Sequence, residues 1–280
     1  MPRHHRYLSL ALLLLTLSVP LCALDILITN DDGLTANARA LHQALSAEGH
    51  QVLMVVPCRN QSGQGAALNF LKPIGPLAQD CVGGIAHVGD PGVGSDPGDA
   101  DIHYVDGTPV MALLYGLDVR AHDRWGRQPQ LVVSGPNEGN NTGLLNPSSG
   151  TVNNAVYAIN RGIPALAVSA DGNTANNPEL AAETAQIVLQ LVRELVRAAS
   201  STSGLLPAGT GLNVNVPKFA AGQAGALPFA RTVVGTYTAG APKFVANLAQ
   251  DPFAAGLGIT APLPGITLSP MDPRTAELRS

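Results

Sequence analysis

Two carboxylates, Asp31 and Asp32, stand side by side just after a short apolar run, Ile26-Leu27-Ile28, and just before Gly33. A run of that length suits a strand buried on both faces. Beyond it Ala38, Leu41 and Leu45 recur at helical spacing. The pair therefore falls on a strand-to-helix turn at the carboxyl end of a first strand, where open α/β sheets collect their ligands. Two hard oxygen donors in that place suit Mg²⁺ or Mn²⁺. Asn30-Asp31-Asp32-Gly33 is also good turn chemistry for any protein, so the pair gains meaning only from what else reaches it.

Two further polar stretches follow apolar runs. Gln51 to Pro57 reads as a second buried strand and leads into Cys58-Arg59-Asn60-Gln61-Ser62-Gly63. Leu131-Val132-Val133 reads as another and leads into Ser134 to Gly143, a stretch crowded with glycine and asparagine that reads as a loop. In a parallel sheet these strand ends share one edge, so several oxygen donors converge there. Carboxylates plus neutral Ser and Asn oxygens leave room on a cation for water and a phosphate oxygen. Ser149-Gly150-Thr151 opens a helix carrying Val152, Ala155, Val156 and Ile159. Its free N–H groups favour an anion, although an ordinary cap would use the same triplet. A metal beside an anion hole is apparatus for phosphate-ester hydrolysis. In one mechanism the metal lowers the pKa of a bound water. In a second, Asp31 accepts the phosphoryl group as a nucleophile.

The elements that must position these groups alternate between strand and helix. Right-handed crossover places the second strand parallel to the first. The segment from Gly83 to Asp106, rich in Gly, Asp and Pro, reads as a long loop or flap with a short extended piece. Asp106-Gly107-Thr108-Pro109 then starts a helix, with Thr108 as cap and Val110, Leu113, Leu114 and Leu117 as its stripe. Ala165 to Ser169 is a further strand, and Asn177-Pro178-Glu179 opens the longest helix. Leu212 to Pro217 alternates polar and apolar residues and reads as a half-buried strand. Thr232 to Tyr237 and Ile266 to Leu268 read as strands of a β-rich tail. The expected organisation is a body over residues 24–200 and an extension over 201–280, after a signal segment over 1–23.

That first segment has Arg3, His4, His5 and Arg6 ahead of an apolar run from Leu8 to Leu21, with Ala23 at a plausible cleavage point. It reads as a secretory signal peptide and implies a periplasmic or secreted protein. Lipidation at Cys22 and an uncleaved anchor are the alternatives. Removing Arg3 and Arg6 from the 16 basic residues leaves 14 against 20 acidic ones, a net charge of −6. With no basic stripe, polymeric nucleic acid is not an expected partner. Cys58 and Cys81 remain, and in an oxidising compartment they are expected to pair. The alternative is two reduced, buried thiols.

The stretches LITNDDG, VVPCRNQSG, DGTP, VVSGPNEGNNTG, SSGTV and NVNVP resemble, in order and over most of residues 25–217, the SurE family of nucleotide phosphatases. That resemblance implies a Rossmann-like α/β body, a mostly parallel sheet flanked by helices, with a C-terminal extension used to form homodimers or homotetramers. It implies hydrolysis of nucleoside 5′- and 3′-monophosphates with Mn²⁺ or Mg²⁺. It places the metal on Asp31, Asp32, Ser62 and Asn137, with Asp31 and Asp32 catalytic. It implies substrate or phosphate contacts at Asn60, Gly107, Thr108, Ser149, Gly150 and Thr151. This chain departs from the family pattern with Cys58 where Asp is usual, and with an extra acid, Glu138, beside Asn137. The departures leave room for a broader, exported acid phosphatase. A non-catalytic nucleotide- or metal-binding protein on the same scaffold is the alternative class. A dinucleotide enzyme is disfavoured because no G-x-G-x-x-G follows the first strand. Intact-mass measurement of the exported protein is expected to show a chain beginning near Leu24; a full-length cytoplasmic product retaining Met1 would refute export.

Overall fold

The computed structural model describes residues 23–199, 204–232, 236–238, 241–243 and 266–271. The segment 1–22, on which the export reading rests, and the middle of the strand expected over 232–237 lie outside them. The first strand, β1 (Asp25–Thr29), is followed by α1 (Ala36–Ala47) and β2 (Gln51–Pro57). All five residues of β1 are buried, as an apolar run flanked by strands on both sides requires. Thr35 caps α1 by accepting the N–H of Ala38 at 3.3 Å, and Ala38, Leu41 and Leu45 turn inward.

The glycine-rich segment after β2 is not the long loop expected. It contains a hairpin, β3 (Val93–Asp96) and β4 (Asp99–Val105), turned at Pro97-Gly98. β4 pairs in parallel with β2, Ile102 opposite Met54 and Tyr104 opposite Val56. Ile102 and Tyr104 are buried while the Asp-rich start of the strand stays at the surface. The strand signal is confined to four residues behind a turn-rich leader, which is why periodicity missed it.

Helix α2 (Pro109–Tyr115) begins as expected, Thr108 accepting the Met111 N–H at 3.3 Å. It runs through a wide turn at Gly116–Arg120 into α3 (Ala121–Trp125). β5 (Leu131–Glu138) is longer than the apolar run suggested and includes Ser134 to Glu138, read above as loop. Its register against the next strand slips between Ser134 and Asn137, at a cis Gly135-Pro136 bond. Gly135 has φ +118°, and a Cβ there would lie 2.1 Å from the Val168 carbonyl oxygen, so only glycine fits. The chain continues through α4 (Gly150–Asn160), β6 (Ala165–Ala170), α5 (Pro178–Ala199) and β7 (Gly211–Val216).

β7 is not half-buried. It pairs in parallel with β6 on one side and antiparallel with β11 (Ile266–Met271) on the other, and its polar residues Asn213 and Asn215, 1% and 4% exposed, bond to Asn141 and Asn146 over one face. A short β8 (Phe229–Arg231) lies beyond β11, and β9 (Thr236–Thr238) pairs with β10 (Ala241–Lys243) in a separate ribbon. Among the described residues the sheet order is β3-β4-β2-β1-β5-β6-β7-β11-β8, six central strands from β4 to β7 being parallel. This is the mostly parallel α/β sheet expected. Helices α1 and α5 share one apolar cluster with Ile26, Ile28 and Val133. Helices α2 and α4 share the other with Leu27 and Val132. Among the described residues no helix is long and apolar enough to cross a membrane.

Cys58 and Cys81 are bonded, their Cα atoms 4.6 Å apart, and both are buried. Val82 N–H also donates to Cys58 C=O at 2.8 Å, so the end of β2 is tied twice to the segment that follows. Replacing both cysteines by serine is expected to cost about 2–4 kcal/mol, the usual yield of a loop closed in the unfolded chain. Denaturant melts read the loss, and unchanged stability would refute a structural bridge.

Candidate active site

From β1 the chain winds outward through β2 to β4. It then returns across the sheet to β5 on the other side of β1. The order therefore reverses between β1 and β5, which opens a crevice at their carboxyl ends. Asp31 and Asp32 stand at one lip, two and three residues beyond β1; Asn137 and Glu138 form the other, as the last residues of β5.

Asn30 shapes the turn between β1 and α1. Its Nδ2 donates to Gly33 C=O at 2.6 Å and its Oδ1 accepts the Gly33 N–H at 3.2 Å. Asp31 and Asp32 then face different partners. Asp31 Oδ1 accepts the Thr151 hydroxyl at 2.6 Å, and the Thr151 N–H also reaches this carboxylate. Ser149 spends its hydroxyl on the Val152 N–H at 3.1 Å. The amino end of α4 is thus turned on Asp31, where its dipole supports negative charge. Gly150 permits this approach, since a Cβ there would lie 2.7 Å from the Asp31 Cβ and 2.9 Å from Oδ2.

Asp32 gathers the other loops. Its Oδ1 accepts Asn60 Nδ2 at 2.8 Å and Ser62 Oγ at 3.3 Å. Its Oδ2 accepts the backbone N–H of Glu138 at 2.9 Å. Asn60 Oδ1 in turn accepts the Ser62 N–H at 2.9 Å, so both ends of the Asn60 amide hold the loop. Asn60, expected to contact substrate, positions Asp32 and Ser62 in this structure. Asn137 Nδ2 donates to Gly139 C=O at 2.6 Å, which turns its amide oxygen the other way.

Two residues expected to contact substrate lie outside the crevice itself. Thr108 is 3% exposed; its hydroxyl caps α2 and donates to Ala67 C=O at 2.6 Å. Gly107 lines a neighbouring cavity. Sequence reading missed the support beneath the crevice. Asn215 Oδ1 accepts the Asn141 N–H at 2.9 Å, Asn141 Nδ2 donates to Ser169 Oγ at 2.9 Å, and Asn213 Nδ2 donates to Asn141 C=O at 3.1 Å. The available signal was polar alternation in Asn213-Val214-Asn215-Val216, misread as a solvent face.

Burial dominates the electrostatics. Asp31 is raised from 3.8 to about 6, by desolvation first and by the charge of Asp32 second, against the pull of Thr151. Asp32 is raised by desolvation, against its bonds from Glu138, Ser62 and Asn60. Glu138, half-buried beside them, is also raised, by desolvation and then by Asp32. Among the described ion pairs none reaches Asp31 or Asp32. Buried, unneutralised carboxylates beside a Ser hydroxyl fit a hard divalent cation. Among the described residues no group of three His, Cys, Asp or Glu that could hold a metal occurs, so neutral oxygens and water would complete the shell.

The family model described as Survival protein SurE matches residues 26–239. The chain belongs to the SurE family. Among proteins similar to this SurE chain, an acid phosphatase of Yarrowia lipolytica is 38% identical over 204 residues, 69% of this chain and 56% of that one. A 5′-nucleotidase SurE of Geotalea daltonii is 36% identical over 195 residues, 69% of this chain and 66% of that one. The chain thus matches about half to two thirds of their lengths. The crystal structure of the SurE protein from Aquifex aeolicus superposes with a TM-score of 0.60 at 25% identity, covering 91% of this chain and 95% of that one.

The raised Asp31 gives a signed expectation for the metal-free SurE chain. The folded-state value of about 6 lies above the ordinary 3.8, so the proton favours the folded state. Stability should fall as pH rises from about 4 through 6 and stay low above that. Asp31→Asn keeps an acceptor for Thr151 and removes the charge. It is expected to stabilise the protein in EDTA at pH 7.5 by on the order of 1–3 kcal/mol while weakening divalent-metal binding. Thermal melts and metal titration check both; a destabilised variant with wild-type metal affinity would contradict the reading.

Proposed function

We propose that this SurE chain is a divalent-metal-dependent phosphomonoesterase acting on nucleoside 5′-monophosphates, with 3′-monophosphates as further substrates. The observation that carries the proposal is the buried pair Asp31 and Asp32 at one crevice, with Ser62 bonded to Asp32, the amino end of α4 on Asp31, and Asn137 next in sequence to the Glu138 N–H that meets Asp32. The nucleotidase and acid phosphatase names of its relatives support the same reaction class.

A divalent cation, Mn²⁺ or Mg²⁺, would be held by Asp31, Asp32, Ser62 and Asn137, and would polarise a phosphoryl oxygen and acidify a bound water. The chain's own groups hold the arrangement still. Thr151 fixes the Asp31 carboxylate, while Asn60, Ser62 and the Glu138 N–H fix Asp32. Thr151 and Val152 already spend their N–H groups within the protein. In this reading, the Gly150 N–H remains to meet a phosphoryl oxygen, in the field of the helix end. Orientation of this kind is what phosphoryl transfer asks of a protein. The proposal includes an exported mature chain, supported by the composition of residues 1–23, and a homodimer or homotetramer, supported by the resemblance.

Purified protein should release phosphate from adenosine 5′-monophosphate with added Mn²⁺ or Mg²⁺ and cease to do so in EDTA. Asp32→Asn, which keeps side-chain shape, should lower kcat on the order of 10²–10³-fold. Undiminished turnover in EDTA, or in Asp32→Asn at limiting metal, would refute the assignment.

A further inference from the structure

Beside the crevice lies a cavity of about 290 Å³, and the loop after β2 serves both. Arg59 and Gln61 line the cavity, while Asn60 between them donates to Asp32. Gln61 N–H donates to Asp31 C=O at 2.7 Å, so the cavity adjoins the carboxylates through one peptide unit. A phosphoryl group seated over Asp31 and Asp32 therefore has space for the rest of its ester on this side.

The lining is polar and its charge does not cancel. Arg59 is paired with Asp106 at 2.6 Å. Lys72, also in the lining, has no ion-pair partner among the described ion pairs. Gln61 and Asn69 add carboxamides, and Met111 adds an apolar contact. One uncompensated positive charge therefore faces the space. Leu71, just before Lys72, is held at φ +56° with its side chain fully exposed, a conformation that costs a non-glycine residue energy and tends to mark functional turns.

We propose that this cavity binds a second phosphate carried by the alcohol portion of the substrate, with Lys72 supplying the charge. The proposal rests on the phosphomonoesterase reading and narrows its substrate class to nucleoside 3′,5′-bisphosphates in preference to simple monophosphates. Lys binds phosphate as a point charge. Gln61, Asn69 and Met111 are suited to a polar, partly apolar nucleoside between the two phosphates.

The test is calorimetric binding in EDTA of adenosine 5′-monophosphate and adenosine 3′,5′-bisphosphate to the wild type, Lys72→Ala and Lys72→Arg. The expected wild-type preference for the bisphosphate is at least about tenfold, one full ionic contact. Lys72→Ala should bring the ratio of the two affinities close to one, and Lys72→Arg should retain most of it. Matching melting temperatures show that the variants are folded. Equal wild-type affinity for both ligands, or a ratio unchanged in Lys72→Ala, would overturn the proposal. A wild type that prefers the bisphosphate yet releases no phosphate from either ligand, with Mn²⁺ or Mg²⁺ restored, supports this site and overturns the phosphomonoesterase reading alone.

Discussion

Two negative charges are held out of water at the point where the sheet reverses its winding, with no Lys or Arg to offset them among the described ion pairs. Burial alone would expel or protonate such a pair. Here each carboxylate is instead supplied with hydrogen-bond donors: Thr151 for Asp31; Asn60, Ser62 and the Glu138 N–H for Asp32. These donors come from α4, from the loop after β2 and from the end of β5, so much of the sheet edge is arranged around this one electrostatic problem. The donors reduce the cost without removing it, as the raised values of both aspartates show. Any partner that binds the folded state and neutralises the pair would relieve that cost.

The constraint reaches into the backbone. Gly150 lets the end of α4 come within contact of Asp31, and the register slip at Gly135-Pro136 re-aims the end of β5 so that the Glu138 N–H meets Asp32. The Cys58–Cys81 bond anchors the base of the loop that bears Asn60 and Ser62. Beneath the crevice, Asn141, Asn213 and Asn215 satisfy one another's buried polar groups, where an orphaned amide would cost on the order of 1–3 kcal/mol. Side chains on β7, far along the chain from Asp31, thereby hold the loop that follows β5.

Glu138 brings a third carboxyl group to the crevice. Its backbone serves Asp32 while its half-buried carboxyl adds to the local negative charge. The neighbouring cavity carries the opposite sign at Lys72. The crevice and the neighbouring cavity therefore differ in the sign of their charge.

What the sequence determined by itself was local. Apolar run length identified β1, β2, the start of β5 and β6, because strands buried on both faces need no alternation. Cap chemistry located α2, α4 and α5, because Thr108, Ser149 and Asn177 bond to N–H groups only three residues away. The carboxylates and the Ser62 loop were legible as polar residues that follow apolar strands, and parallel strands put such ends at one edge; Asn137, read as loop, lies within β5 itself. What only the tertiary structure decided was anything resting on contact between distant segments. The strand β4 exists because β2 offers an edge, although its own sequence is rich in turn formers. β7 is buried because the segment around Asn141 and Asn146 lies over the face that bears Asn213 and Asn215, so an alternating pattern that signals a water-facing strand instead carries asparagines into the interior. Asn60, Gly107 and Thr108 share one motif-level expectation, yet folding turns Asn60 onto Asp32, Gly107 onto the neighbouring cavity and Thr108 into a helix cap. Spacing along a chain states which residues can meet; the packing of separate segments decides which way each polar group faces.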